Sequence, residues 1–203
     1  MSTWKQTTEG LYKAVLLYTI GGIASSVFAY LGGLGKTAAG INALMGNGGS
    51  AFGIWDILGI VAAVAIIYGY WKFFTGLKDF KNQVNPADAP YIQKISTCTI
   101  IMMVATVLAV IPVVGLLGGI ANLVAWIILL LAYNSLKKSA TFPATARQGA
   151  SKLFLAMILD IVGIVIGIIP VIGGITKAIL AIIAFIFVLQ GWKAISLSEE
   201  PAA

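Results

Sequence analysis

Few side chains in this sequence could carry chemistry, and the most conspicuous is an acid within an apolar run. Asp160 lies in KLFLAMILDIVGIVIGIIP, 8 residues after Lys152 and 10 before Pro170. A helix through that run would place the carboxyl about 12–15 Å from either end, near the middle of a bilayer. An acid at this depth is costly, so it predicts either a hydrogen bond that fixes helix packing or a path for protons or cations.

Asn122 is the partner that we expect for Asp160. It follows Pro112 by 10 residues, the same number that separates Asp160 from Pro170, so the two side chains have matching depths. A neutral carboxyl group and an amide can exchange hydrogen bonds in hydrocarbon. Lys177 is less suitable, because side chains tilt toward the N-terminus of their own helix and Asp160 and Lys177 would point apart. We expect the side chain of Lys177 to extend to the outer surface of the membrane.

The composition offers little to a catalytic or metal-binding site. The chain has no histidine, one cysteine (Cys98) and seven acidic residues. Imidazole metal sites and nucleophiles paired with histidine are therefore excluded. The GKT at Gly35–Thr37 is not a phosphate-binding loop, since the glycine needed five residues before its Gly is replaced by Tyr30. We predict a non-enzyme with no catalytic residue, no cofactor, no metal site and no nucleic-acid partner.

The balance of apolar and charged residues predicts an integral membrane protein. The chain is 60% apolar and 10% charged. Soluble domains are about 45–50% apolar and about 25% charged, so this chain has too few polar side chains to cover a water-exposed surface. The lipid bilayer is the partner that the composition indicates.

Two Ile-Pro-Val phrases, in VLAVIPVVGLLGG and VIGIIPVIGG, divide the apolar runs into membrane crossings. Proline ends the preceding helix and the following glycines allow a tight reversal, so Pro112 and Pro170 are predicted to lie at hairpin tips. One crossing needs about 20 residues. The pattern predicts six transmembrane helices, over 11–31, 54–72, 94–111, 114–134, 152–169 and 173–193.

The hairpins also form an internal repeat. Phe74, Tyr133 and Trp192 follow spans in similar segments and are spaced by 59 residues twice over. This spacing indicates an all-α membrane protein of three tandem helical hairpin repeats in a single domain, 1–203. The predicted bounds are about 11–80 for hairpin 1, about 91–139 for hairpin 2 and about 148–197 for hairpin 3. Hairpin 1 contains a glycine-rich insert at 31–50, in which TAAGINALM (37–45) is expected to form a short helix at the outer interface or, alternatively, a re-entrant pore loop.

The basic residues predict the orientation. Eleven of the 13 Lys and Arg residues lie near the termini or in the 72–94 and 137–152 connections, so both termini are predicted to be cytoplasmic. Lys36 and Lys177 fall on the other side. The predicted interface anchors are Trp71, Tyr133, Trp192 and Lys177.

Small residues recur at four-residue spacing and predict close helix packing, either within the bundle or between subunits. They are Gly21, Ser25, Ala29 and Gly33 in helix 1, Gly59 and Ala63 in helix 2, Gly115 and Gly119 in helix 4, and Gly163 and Gly167 in helix 5.

These features favour a non-catalytic membrane protein, a structural or accessory subunit that packs with other copies or in a larger membrane complex. One alternative is a small proton or cation channel or transporter that uses Asp160. Another is a membrane-shaping or lipid-organising hairpin protein. The IPVIGG hairpin, which ends in an aromatic residue and a lysine, resembles small bacterial membrane proteins. The resemblance implies a bacterial cytoplasmic (inner) membrane and no particular activity.

Overall fold

The protein is built from α-helices. The computed structural model describes residues 3–44, 53–108, 112–166, 169 and 172–201, and these contain six helices and no strand. The helices are α1 (Trp4–Leu44), α2 (Ile54–Gln83), α3 (Ala89–Leu108), α4 (Pro112–Lys138), α5 (Ala144–Ile166) and α6 (Ile172–Ser196). Four of them, α1, α2, α4 and α6, contain stretches long and apolar enough to span a membrane. The predicted all-α class and the six helices are confirmed.

The helix breaks fall at the two predicted tips. α3 ends at Leu108 and α4 begins at Pro112. Proline suits the first position of a helix, where an N–H group would have no partner, so α4 begins two residues before the predicted start at 114. α5 ends at Ile166 and α6 begins at Ile172. Pro170 and residues 109–111 lie outside the described residues.

The prediction for TAAGINALM was wrong over its described residues, 37–44. This stretch continues α1 as far as Leu44 and is neither a separate short helix nor a re-entrant loop. A glycine costs a helix only about 1 kcal/mol relative to alanine, and each further residue adds a backbone hydrogen bond. No proline interrupts the stretch. Residues 45–50 lie outside the described residues.

Four helices extend well past their apolar runs into polar segments. α1 begins at Trp4 instead of 11. α2 continues to Gln83 instead of ending at 72, α3 begins at Ala89 instead of 94, and α5 begins at Ala144 instead of 152. The sequence prediction treated the polar segments of α2, α3 and α5 as connections without apolar periodicity.

A stripe of buried side chains explains the extension of α2. Phe73, Leu77, Phe80 and Val84 follow one another at intervals of four and three residues, and each is at most 7% exposed. This interval places Phe73, Leu77 and Phe80 on one face of α2, and Val84 follows directly after the helix ends at Gln83. Packing of that face stabilises this part of α2. The charged residues between the buried ones lower the local hydropathy, so the apolar pattern was not recognised in the sequence.

The described chain divides into two compact units, unit 1 (Met1–Val15 with Tyr70–Ala203) and unit 2 (Leu16–Gly69). In unit 1, α3 packs against α4, α4 against α5, and α5 against α6. Its core surrounds Phe80, whose ring lies 5.0 Å from that of Trp4 and 6.4 Å from that of Phe142. The Trp4 indole N–H donates to the Ser198 carbonyl at 2.9 Å. Because this bond joins the first turn of α1 to the segment after α6, we call the part of unit 1 around Trp4, Phe80, Phe142 and Ser198 its terminal end, and the buried side chains there the terminal core. The largest fully buried side chains of unit 1 include Trp192, Phe80, Phe142, Leu11, Leu77, Leu136, Leu153 and Ile195.

Unit 2 is an antiparallel pair formed by parts of α1 and α2. Gly69 approaches the backbone of Tyr18, and Gly32 contacts Trp55, so residues late in one helix meet residues early in the other. Large apolar side chains cover its outside. Ile20, Ile57, Val61 and Val64 are each more than half exposed. Such a surface is suited to hydrocarbon.

Candidate functional site

Asp160 lies on the packed face of α5. Its neighbours along this face, Ala156, Met157 and Gly163, are buried, whereas Val165 on the opposite face is 61% exposed. The carboxyl group is half-buried and makes no hydrogen bond or ion pair with any residue that the structure describes. An acid that faces other helices without a partner is the least satisfied charged group of α5.

Asn122 occupies the corresponding face of α4, the helix that packs against α5. It shares this face with Ala125 and Leu129, which are buried. The Oδ1 atom of Asn122 is buried and has no hydrogen-bond partner among the described residues. The structure therefore forms no hydrogen bond between Asn122 and Asp160, and their pairing stays a prediction.

Lys177 is exposed on α6, and its side-chain stem passes Gly163 of α5. A Cβ atom built on Gly163 would lie 3.8 Å from Cγ of Lys177 and 3.7 Å from Cβ of Leu180. Within the described part of the chain, Lys177 makes no ion pair with Asp160. These two charges stay separate on neighbouring helices.

Among the predicted packing residues, Gly21 makes the close contact expected of it. A Cβ atom there would lie 3.0 Å from Cγ1 of Ile66 and 3.4 Å from the carbonyl oxygen of Ala62. Gly163 has ordinary van der Waals contacts instead. Ala29, Gly115 and Gly119 belong to helices but their side-chain positions are not described, and Gly167 lies outside the described residues.

Four other predicted packing residues line an open groove. The groove lies between α1 and α2 in unit 2 and has a volume of about 380 Å³. A Cβ atom built on Gly59 would have no heavy atom of the described residues within 4 Å, so the described part of unit 2 does not pack against Gly59. The groove is lined by Ser25, Phe28, Gly32, Gly33, Trp55, Asp56, Gly59, Ile60 and Ala63.

The closest helix contact was missed in the sequence. A Cβ atom on Gly149 of α5 would lie 2.5 Å from the carbonyl oxygen of Gly191 in α6, and one on Gly191 would lie 2.7 Å from Cγ of Leu153. A signal was present, because Gly149 and Gly191 are each 21 residues from Pro170, the predicted tip of their hairpin. Residues equally far from a tip face each other in an antiparallel pair.

Two of the predicted interface anchors are core residues. Tyr133 is 4% and Trp192 is 1% exposed, and the ring of Phe73 packs edge-on against Trp192 at 4.9 Å. Tyr133 and Trp192 therefore pack inside the protein and do not face a membrane interface as predicted. The helices extend past the apolar runs and enclose both rings. Trp71, at 53% exposed, is open to its surroundings as expected.

A buried acid at the terminal end of unit 1 was also missed. Asp88 is fully buried, its Oδ2 atom accepts a hydrogen bond from Thr141 Oγ1 at 2.8 Å, and its Oδ1 atom is buried without a partner among the described residues. The bond ties the α2–α3 connection to the α4–α5 connection. Asp88 directly precedes α3, and an acid followed by a helix with an early proline, Pro90, is a recognisable helix start.

The described residues contain no group of three His, Cys, Asp or Glu side chains that could hold a metal ion. No family model matches the chain, and comparison with curated proteins and with solved structures finds no significant match. Together, the fold and these sites describe a multi-span helical membrane protein with two under-satisfied polar groups on packed helix faces and an open groove lined by small residues.

Proposed function

We propose that this protein is a non-catalytic, multi-spanning membrane protein that serves as a structural or accessory subunit, packing with other copies or within a larger membrane complex. In this proposal all six helices cross the bilayer as three tandem hairpins with both termini in the cytoplasm. Eleven of the 13 basic residues near one set of helix ends support that orientation.

The observation that carries the proposal is the open groove of unit 2. Small residues let helix backbones approach closely in lipid, where packing drives helix association. Gly59 lines the groove, and a Cβ atom built on it would meet no heavy atom of the described residues within 4 Å. A helix from another subunit is the element that such a groove suits.

The test is the mass of the protein after extraction in a gentle detergent, measured by native mass spectrometry. We expect homo-oligomers or stable complexes with other membrane proteins. A protein that remains a monomer at every detergent concentration, with no co-purifying chain, would contradict the proposal.

A matched pair of variants connects this result to the groove. Gly59→Leu fills the groove, whereas Gly22→Leu adds the same side chain to unit 2 where Gly22 has no atom within 4 Å and does not line the groove. Gly59→Leu is expected to shift the mass distribution toward monomer, and Gly22→Leu to leave it unchanged. Equal effects of the two variants would assign the assembly to another surface.

The second candidate function is a proton or cation path, and the unpartnered carboxyl group of Asp160 on a packed helix face favours it. The packed core at the terminal end of unit 1 opposes it, because Trp192, Phe80 and Phe142 there are each less than 2% exposed. Flux measurements in liposomes decide between the two functions. A current that Asp160→Asn abolishes would support transport.

A further inference from the structure

Two lysines at the terminal end of unit 1 join neighbouring helices through amide oxygens. Nζ of Lys81 in α2 donates to Oε1 of Gln93 in α3 at 2.9 Å. Nζ of Lys152 in α5 donates to Oε1 of Gln190 in α6 at 3.0 Å. In each pair the partner is neutral, so the ammonium group is held in place while its charge is not compensated.

A third lysine is held by an aromatic ring. Nζ of Lys137 in α4 lies 3.5 Å from the ring centroid of Phe154 in α5. A ring face attracts a cation through its quadrupole but carries no net charge. We call Lys81, Lys137 and Lys152 the clamp lysines, because each bridges two helices that follow one another in the chain.

The charge of the clamp lysines has no counterpart among the described residues. None of the three makes an ion pair there. Near the termini and in the connections on the same side, the sequence has eleven basic residues and only five acidic ones. An ammonium group has three N–H donors, so those of Lys81 and Lys152 keep two each after the bond to glutamine.

The clamp lysines stand where the candidate membrane spans end. Lys81 and Lys137 lie within the last three residues of the candidate spans Ile54–Gln83 and Ile120–Lys138. Gln190, the partner of Lys152, lies near the end of the candidate span Thr176–Ser196. Lipid headgroups occupy this level of a bilayer.

We propose that the clamp lysines bind the phosphate groups of anionic phospholipids. The neutral partners orient each ammonium group between two helices, and the free N–H donors and uncompensated charge remain for the headgroup. Basic residues near a membrane surface attract anionic lipid. This inference requires only that the helices span a membrane, and it holds whether or not the protein assembles with other subunits.

The test compares two triple variants with equal loss of charge in phosphatidylcholine vesicles, with and without phosphatidylglycerol. The clamp variant is Lys81→Gln, Lys137→Gln and Lys152→Gln. The control variant is Lys5→Gln, Lys138→Gln and Lys193→Gln, three exposed lysines without a side-chain contact to a described residue. For each protein the thermal midpoint and the phosphatidylglycerol retained in native mass spectrometry are measured in both lipids.

Phosphatidylglycerol is expected to raise the midpoint of the unmodified protein and of the control variant, and to raise that of the clamp variant by less than half as much. Each clamp lysine removed is expected to weaken retention about fivefold. Each variant is compared with itself in the two lipids. The difference reports the effect of phosphatidylglycerol alone, and it excludes the stability that the clamp lysines give to the protein in either lipid. An equal response of both variants, or no response of the unmodified protein, would overturn the proposal.

If the clamp variant does not fold, two single variants of Lys152 test the proposal instead. Lys152→Gln alone removes one ammonium group, and Lys152→Arg keeps the charge. Retention of phosphatidylglycerol is expected to fall in the first and to persist in the second. The same retention in both would show that the charge of Lys152 does not bind lipid.

Discussion

The indole N–H of Trp4 donates a 2.9 Å hydrogen bond to the carbonyl oxygen of Ser198. This bond joins the first turn of α1 to the segment after α6, and both residues are buried. The ring of Trp4 also packs against Phe80. The first turn of α1 and the segment after α6 are thus held together within unit 1.

Tags placed at the two chain ends are therefore expected to report the same side of the membrane. Accessibility of the tags to an impermeant reagent, in intact cells and in inverted vesicles, measures this. An N-terminal tag and a C-terminal tag that respond in opposite preparations would show that the helices cross an odd number of times.

Replacing Trp4 by phenylalanine removes the indole N–H and leaves the Ser198 carbonyl without its donor, while most of the ring packing is kept. The free energy of unfolding is expected to fall by about 1–3 kcal/mol, the usual cost of leaving a buried polar atom without its partner. Denaturant titration in detergent measures it. Trp55→Phe is the control, because Trp55 is 37% exposed, and it should change stability less than Trp4→Phe does.

A single methyl group added where α5 and α6 cross is expected to destabilise the protein. Gly149→Ala would place its Cβ atom 2.5 Å from the carbonyl oxygen of Gly191, so the helices must move apart. Overpacking of this kind costs about 1–3 kcal/mol. Gly22→Ala, at a glycine with no atom within 4 Å, should be neutral or stabilising. Equal thermal midpoints for the two variants would contradict the close contact.

Thr141→Val removes the hydrogen bond to Asp88 and leaves both oxygens of a buried carboxyl group without a donor among the described residues. Loss of a partner to a buried polar atom costs about 1–3 kcal/mol. Thr145→Val, an exposed threonine at the start of α5, is the matched control and should have little effect. If both variants unfold at the same denaturant concentration, the Asp88–Thr141 bond does not stabilise the terminal end.

The pairing of Asn122 with Asp160 is tested by a double-mutant cycle. Asn122→Ala and Asp160→Ala, made singly and together, are compared by the free energy of unfolding in detergent. A hydrogen bond between the two predicts a coupling of about 0.5–2 kcal/mol. Strictly additive losses would show that the two side chains act independently, as the unbonded Oδ1 of Asn122 in the structure suggests.

The apolar runs and the two prolines were sufficient to predict the helices and their breaks. A run that must satisfy its backbone in hydrocarbon has to be helical, and Pro112 begins α4 next to the predicted tip. The tip predicted at Pro170 also indicates which residues face each other, as Gly149 and Gly191 show.

The terminal core could not be predicted from hydropathy. Its buried side chains, such as Phe80 and Phe142, are separated by lysines and asparagines, so segment averages hide them. Tyr133 and Trp192 also match the composition of an interface belt, and only the extension of the helices past the apolar runs shows that they are enclosed. The small residues were recognised as a group, but spacing alone does not tell whether a face such as that of Gly59 meets a neighbour or an open groove.

The contact between Gly149 and Gly191 lies near the ends of α5 and α6 that belong to the terminal core, whereas Gly163, farther along the same pair, has only ordinary contacts. When two helices pack most closely near one end, a change in their tilt is a rotation about that end. When bilayers differ in thickness, helices adjust by changing their tilt. We therefore expect a change in bilayer thickness to alter the tilt of the apolar parts of α5 and α6 and to leave the packing around Gly149 and Gly191 unchanged.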